Sequence, residues 1–368
     1  MPFAKAADLF TTFTHTSVSE SSAQRLTEAI GLAYEAVQLA EVERIERDWP
    51  EVEPQEAKVV VSADGAMVPL VGGAWAEVKT VVVSEVGEKA VLDGKAVVAT
   101  HTHSYFSRLA DAETFGRLSL GELTRRRLER AEQVASVNDG AEWIQGFVDY
   151  HCPEALRILD FPHAAERICQ IGDVVLGEDA AATATWRIEQ LHQLKQDGAS
   201  VLLPKLRSFA TAHLNVPGVS ENLAYLEKRE AQMQYPTFQA QGWPIGSGVV
   251  ESGNKVVVEA RLKGAGMHWA RASVNPMLTL RNAVCNDRWA EAWQQSSEQI
   301  RRVGLVRRVV TPKRRRSSAP AQEVPALEPP IPAPPAPEAP KAPAQHPWRR
   351  TNYATKARLA AAKADART

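Results

Sequence analysis

Three runs rich in β-branched residues follow one another between residues 57 and 106, and they oblige this chain to begin its core as a sheet. The first is Ala57–Ala63. The second, Ala74–Val86, holds Trp75-Ala-Glu-Val-Lys-Thr-Val-Val-Val83. The third, Lys89–Tyr105, is centred on Ala96-Val-Val-Ala-Thr-His101. Glycines between the runs mark hairpin turns. Residues 107–132, rich in Leu, Glu and Arg, read as helical. Gln133–Val137 reads as a short strand, Ala141–Tyr150 as a helix interrupted by Pro153, and Ala155–Leu159 as a last strand. A long helical stretch, 162–232, has breaks at Gly177, Gly198 and Pro217, and a further helix opens at Gly246.

The order β-β-β-α-β-α-β predicts an α/β fold: an RNase H-like mixed sheet flanked by helices, with an α-helical insertion before the last catalytic helix. In that order the first and fourth strands are neighbours. The expected division is residues 1–52 as N-terminal helices, 53–161 as the first part of the core, 162–244 as the insertion and 245–300 as the closing helices. In the first segment a serine at 17, 19 or 21 caps a helix that reaches Gly31, and a second helix runs from Leu32 to about Asp48, before Pro50. Two short helices about Gly31 fit packing better than the remnant of a helix-turn-helix.

Beyond residue 300 the material changes. Residues 301–368 hold 15 Lys+Arg against 4 Asp+Glu, a charge of +11, so the remainder carries −12 of the net −1. Arg301-Arg302, Arg307-Arg308 and Lys313-Arg-Arg-Arg316 form a basic segment over 301–316, suited to a polyanion. Residues 317–347 contain 11 of the chain's 23 prolines, so the tail 317–368 is expected to be an extended, disordered linker. Cys152, Cys169 and Cys285 have neither metal-ligand spacing nor the number for a disulfide framework. The chain has no run of about 18 apolar residues and no signal-peptide pattern, so a cytoplasmic place is expected.

Three acids carry the chemistry. Asp64 ends the first run before Gly65, Asp139 ends the fourth strand before Gly140, and Glu251 lies in the first turn of the helix opening Gly246-Ser-Gly-Val-Val-Glu251. Each has an ordinary explanation: Asp-Gly is a common turn, and an acid early in a helix suits the dipole. Lys255, four residues after Glu251, offers it a surface ion pair. Brought to one end of a sheet, three carboxylates repel unless divalent cations neutralise them, which is the layout of a two-metal phosphoryl-transfer site. In the Glu251 helix, Val249, Gly253, Val256, Val257 and Ala260 form an apolar stripe, with Glu251, Lys255 and Glu259 opposite. Asp160-Phe-Pro-His163 begins at the end of the fifth strand and suits a supporting or substrate-contact role. Arg261, Lys263, His268 and Arg271, with Trp269 among them, suit a nucleic-acid backbone and unstacked bases or, equally, a solvated surface.

The blocks Ile245-Gly-Ser-Gly-Val-Val-Glu251-Ser-Gly-Asn-Lys255, Arg261-Leu-Lys-Gly-Ala-Gly-Met-His-Trp269, Asn138-Asp-Gly-Ala-Glu-Trp-Ile144 and Ile158-Leu-Asp-Phe-Pro-His-Ala-Ala-Glu166 resemble bacterial insertion-sequence transposases of the ISKra-like group. These are DDE enzymes distantly similar to Mutator-like transposases. The resemblance spans residues 16–310 and His346-Pro-Trp-Arg-Arg350. It implies DNA cleavage and 3′-OH strand transfer with Mg²⁺ or Mn²⁺. Asp64 would be the first acid, Asp139 the second with Asp160 as runner-up, and Glu251 the third; His163 would assist. Double-stranded DNA, at element ends and target, is the implied partner, met by Lys255, Arg261, Lys263, His268, Arg271, Arg314, Arg315 and Arg316. A homodimer and association with the nucleoid follow by analogy. Members of the group usually carry a longer DNA-binding N-terminal region, so a truncated copy that binds without cutting, or an RNase H-like nuclease, are the competing expectations.

Overall fold

A computed structural model describes residues 1–310 except 52, 54, 93, 94, 178 and 179. Two helices lead the chain, α1 (Phe3–Thr14) and α2 (Glu20–Arg47). The Ser19 hydroxyl caps α2 by accepting from the Ser22 N–H at 3.2 Å. The helix then runs unbroken through Gly31, so the expected pair of helices, and with it a helix-turn-helix remnant, is replaced by one rod. Gly31 marks close packing instead of a turn. A Cβ there would lie 2.4 Å from the carbonyl oxygen of Pro276.

Five strands follow: β1 (Gln55–Pro69), β2 (Trp75–Leu92), β3 (Lys95–Arg108), β4 (Ala131–Asn138) and β5 (Leu156–Leu159). They form one mixed sheet in the order β3-β2-β1-β4-β5. The first three strands are antiparallel, and β4 and β5 run parallel to β1. Helices α3 (Ala112–Arg125) and α4 (Glu142–His151) connect β3 to β4 and β4 to β5. The strands are longer than the runs predict. β2 and β3 form a single hairpin paired as far as Leu92↔Lys95. β1 passes straight through Asp64-Gly65, pairing Asp64 with Thr80 and ending at Pro69↔Trp75. Asp64-Gly65 is therefore extended strand, and Asp64 does not end β1. Its parallel partner does stop nearby, at Val61↔Ser136.

A helical segment comes next: α5 (Phe161–Leu176), α6 (Ala180–Asp197), α7 (Ala199–Ala210), α8 (Pro217–Glu227) and α9 (Tyr235–Ala240). Then α10 (Gly248–Gly253) continues through a π-helical stretch, Asn254–Glu259, into α11 (Ala260–Leu262). Helices α12 (Arg271–Cys285) and α13 (Trp289–Val310) close the described chain. Among the described residues, no helix is long and apolar enough to cross a membrane.

The two-residue alternation of β1 sorts these helices onto the two faces of the sheet. Val59, Val61 and Ala63 pack with Phe115, Ile144 and Phe147 of α3 and α4. Val60, on the opposite face, joins the core of the helical segment, with Ile168, Leu202 and Leu226. Further along that same face, Ala66, Val68 and Leu70 pack with Val257, Leu262 and Met277. Asp64 shares the parity of Val60 and Ala66, so it sits in the gap between two apolar cores.

The C-terminal end of the β3 edge is closed by asparagine side chains of α12 and of its C-cap, Asn286. Asn286 bonds the Tyr105 N–H and carbonyl at 2.8 and 2.9 Å, and Asn282 bonds those of Ser107 at 3.1 and 3.2 Å. Asn275 does the same for Leu109 at 2.8 and 3.2 Å. Each amide stands where a sixth strand would supply a peptide group.

Candidate active site

β1 and β4 bring Asp64 and Asp139 together. β4 ends at Asn138, and Asp139 is the next residue. The buried Asn138 ties the two strands: its Oδ1 accepts from the Ala63 N–H at 2.5 Å while its Nδ2 donates to Ser136 Oγ at 2.5 Å. Asp64 Oδ1 accepts from the Gly65 N–H at 2.7 Å. Burial pushes the Asp64 carboxyl above its usual range, and the charge of Asp139 pushes it the same way, so the two carboxylates feel each other. The Asp139 carboxylate accepts from the Ala141 N–H at 2.8 Å.

The second oxygen of Asp64 meets the helix that carries Glu251. Asn254 Nδ2 donates to Asp64 Oδ2 at 2.8 Å. Asn254 is 5% exposed, and its Oδ1 is buried with no hydrogen-bond partner. The buried stripe of this helix is Val250, Gly253, Asn254, Val257, Val258 and Leu262, not the one expected through Val249, Val256 and Ala260. The stripe leans to the other side because a polar residue, Asn254, faces the sheet, and the π-helical turn then carries it from 258 to 262. Glu251 is exposed, and its carboxylate makes no hydrogen bond or ion pair among the described residues, with Lys255 or otherwise. It lies about one turn before Asn254 and is exposed where Asn254 is buried.

Asp160 sits deeper. It is fully buried and directly follows β5. Its Oδ2 caps α5, accepting from the His163 N–H at 3.2 Å, and also meets His163 Nδ1 at 2.6 Å. Its Oδ1 accepts from the Ser247 N–H at 2.5 Å. With both oxygens engaged, Asp160 orients His163 and the strand of chain entering α10. Burial disfavours protonation of His163, but the hydrogen bond to Asp160 and the charges of Asp160, Asp139 and Glu166 outweigh it and hold the ring above its ordinary range. His163 in turn acts on Asp64, favouring its ionised form.

The expected nucleic-acid contacts divide. Lys255, His268 and Arg271 are exposed. Lys263 is exposed and paired with Glu259 at 2.8 Å. Arg261 is held between two rings, 4.7 Å from the centroids of Phe3 and Trp269, so packing explains it first. Trp269 is buried, its Nε1 donating to the Leu262 carbonyl at 3.1 Å, and it offers no face for a base. Arg314, Arg315 and Arg316, like the proline-rich tail, lie outside the described residues.

Carboxylates with an amide oxygen lacking a donor form a set that suits a hard divalent cation. The convergence is incomplete: among the described residues, no three His, Cys, Asp or Glu side chains stand close enough to hold a metal ion. Sequence reasoning missed Asn138 and Asn254, whose only sign was an asparagine beside each acidic motif. No protein-family model matches this chain, and no curated protein matches it.

Proposed function

We propose that this chain is a DDE-type transposase of an insertion sequence, which cuts DNA and joins the freed 3′ end to a target through an RNase H-like core. One observation carries the reading. Asp64 on β1 and Asp139, just past the end of the adjacent parallel strand β4, share a site onto which the Glu251 helix docks through Asn254. The strand order β3-β2-β1-β4-β5 is compatible with an RNase H-like fold.

Asp64, Asp139 and Glu251 would hold Mg²⁺ or Mn²⁺. Divalent cations bound by carboxylates activate the attacking oxygen of a phosphodiester reaction and stabilise the leaving one. Within the chain, Asn254 orients Asp64 so that its carboxylate faces the site. His163, oriented by Asp160, stands ready to donate to a phosphate oxygen, and the charges of Asp160 and Asp139 favour its cationic form. Lys255, His268 and Arg271, with the arginines at 314–316, contact the DNA backbone without reading sequence. The protein acts as a homodimer on double-stranded DNA at the nucleoid.

Glu251 is exposed, and among the described residues no three acids, histidines or cysteines converge on a metal site, which favours a second reading: a protein that binds DNA without cutting it. The decisive experiment incubates the full chain with Mg²⁺ and DNA from the element's ends, and measures nicking and 3′-end joining. Wild type should cut and join, while Asp64→Ala, Asp139→Ala and Glu251→Gln each lose at least about 100-fold. Wild type that binds this DNA and never cuts it would leave the second reading. Loss in Asp160→Ala alone, with Asp139→Ala active, would move the second acid to Asp160.

A further inference from the structure

The helical segment grips the chain at Asp139. Gly140 has φ +81°, and a Cβ there would fall 2.5 Å from Tyr225 Oη and 2.7 Å from Arg229 Nε. Nothing larger than glycine allows so close an approach. Tyr225 Oη donates to the Asp139 carbonyl, and Arg229 donates to the Gly140 carbonyl at 2.7 Å. The two are tied to each other as well: the Arg229 guanidinium lies 3.8 Å from the centroid of the Tyr225 ring and donates to the Tyr225 carbonyl at 3.3 Å. Arg167 of α5 stands 4.8 Å from the same ring and donates to Asn222 Oδ1 at 3.0 Å.

Arg229 is 7% exposed and has no ion-pair partner among the described residues. A buried guanidinium without a carboxylate is costly, and only hydrogen bonds and ring contacts offset that cost here. Arg229 bonds the carbonyls of Gly140 and of Tyr225, and the Tyr225 hydroxyl bonds the carbonyl of Asp139, so between them the pair holds two consecutive carbonyls, one of them belonging to an acid of the site. The Asp139 carboxylate is oriented within this same turn, by the Ala141 N–H. Holding the two carbonyls therefore holds the carboxylate.

We propose that Tyr225 and Arg229 are positioning residues: through the carbonyls of Asp139 and Gly140 they fix the Asp139 carboxylate against Asp64, making α8 and its neighbours part of the site's machinery. This rests on Asp139 belonging to the site proposed above. In this arrangement the helical segment sets the spacing of the two aspartates, and a change in its packing is felt first at Asp139.

The test uses the full chain and the variants Tyr225→Phe, Arg229→Lys and Arg229→Ala, with Lys228→Ala as an exposed control. Three quantities are read: hydrogen exchange of the Ala141 amide, Mn²⁺ affinity by electron paramagnetic resonance, and the melting temperature. The expected result is faster exchange at Ala141 and about tenfold weaker Mn²⁺ binding, the range seen when groups behind a metal ligand are removed. Arg229→Lys, which keeps the charge but loses the fork, should be intermediate, and Lys228→Ala unchanged. In an Asp139→Ala background, Tyr225→Phe should weaken Mn²⁺ binding no further. Unchanged exchange at Ala141 in folded Tyr225→Phe and Arg229→Ala would overturn the latch. A second effect as large in the Asp139→Ala background would overturn its action through Asp139. Wild type that binds no Mn²⁺ would instead remove the reading of the site, whatever the exchange shows.

Discussion

At the scale of single residues, burial decides how the acids behave. Asp64 is raised by burial and by Asp139, so it takes up a proton at a higher pH than an exposed aspartate. A protonated Asp64 cannot serve as a ligand. In the metal-free protein Asp64 should titrate above the ordinary aspartate range, and binding of a divalent cation should displace that proton. The Asn254 hydrogen bond opposes the shift, so Asn254→Ala should move the metal-free titration of Asp64 higher; a carboxyl NMR titration of both proteins checks it. Glu129 gives a separate prediction about stability. Burial raises it from an ordinary 4.5 to about 7, and its Oε1 is buried without a partner. A carboxyl raised in the folded state stabilises the fold while both states keep their proton and loses that contribution as pH climbs from the unfolded value through the folded one. Glu129→Gln should match wild type at about pH 4 and exceed it by about 1–3 kcal/mol at about pH 8, as measured by denaturant unfolding. Asp64 and Asp139 stood out in the sequence as candidates because each is an Asp-Gly at the end of a strand-like run. The residues that orient them did not. Asn138, Asn254, Tyr225 and Arg229 act through backbone atoms or one amide, and no local spacing announces such contacts.

At the scale of elements, the β-branched runs located β1, β2 and β3, since such side chains fit a pleated surface, while β4 and β5 showed as short apolar stretches between helices. Strand ends were misjudged where a turn signal lay within an extended strand. Asp64-Gly65 is such a case: β2 continues to pair beyond it, and local turn propensity yields to the sheet. The break foreseen at Gly31 failed for a related reason, because a glycine demanded by a neighbouring helix looks the same as one that ends a helix. Gly31→Ala should cost about 1–3 kcal/mol despite the better helix propensity of alanine, because its Cβ would strike the Pro276 carbonyl. Thermal unfolding tests this; a stabilised variant would mean that α2 and α12 can part at no cost. The stripe of the Glu251 helix was misread because hydrophobic periodicity assumes that buried means apolar, and Asn254 is neither exposed nor apolar.

At the scale of the molecule, charge divides the chain. Residues 301–368 carry +11 and the remainder −12. Removing 301–368 should weaken binding to non-specific duplex DNA and make its salt dependence shallower. Each phosphate that the protein no longer neutralises takes about one unit off the slope of log affinity against log salt. Titration at several salt concentrations would show it. An unchanged slope would place DNA binding on the acidic body. The asparagines of α12 have a consequence of another kind. A sheet ends either where another chain could continue it or where it is sealed, and an unsealed margin invites fibrous growth. Asn275, Asn282 and Asn286 seal the margin from Tyr105 to Leu109, and at the far side β5 is a strand of four residues whose last carbonyl, that of Leu159, is taken by the Tyr235 hydroxyl at 3.0 Å. Asn282→Leu would unseal that stretch at its middle, and light scattering at raised concentration should then record faster aggregation than wild type shows. Along that sealed stretch a partner has to be met through side chains and surface shape, and a second copy's sheet finds no backbone there to extend.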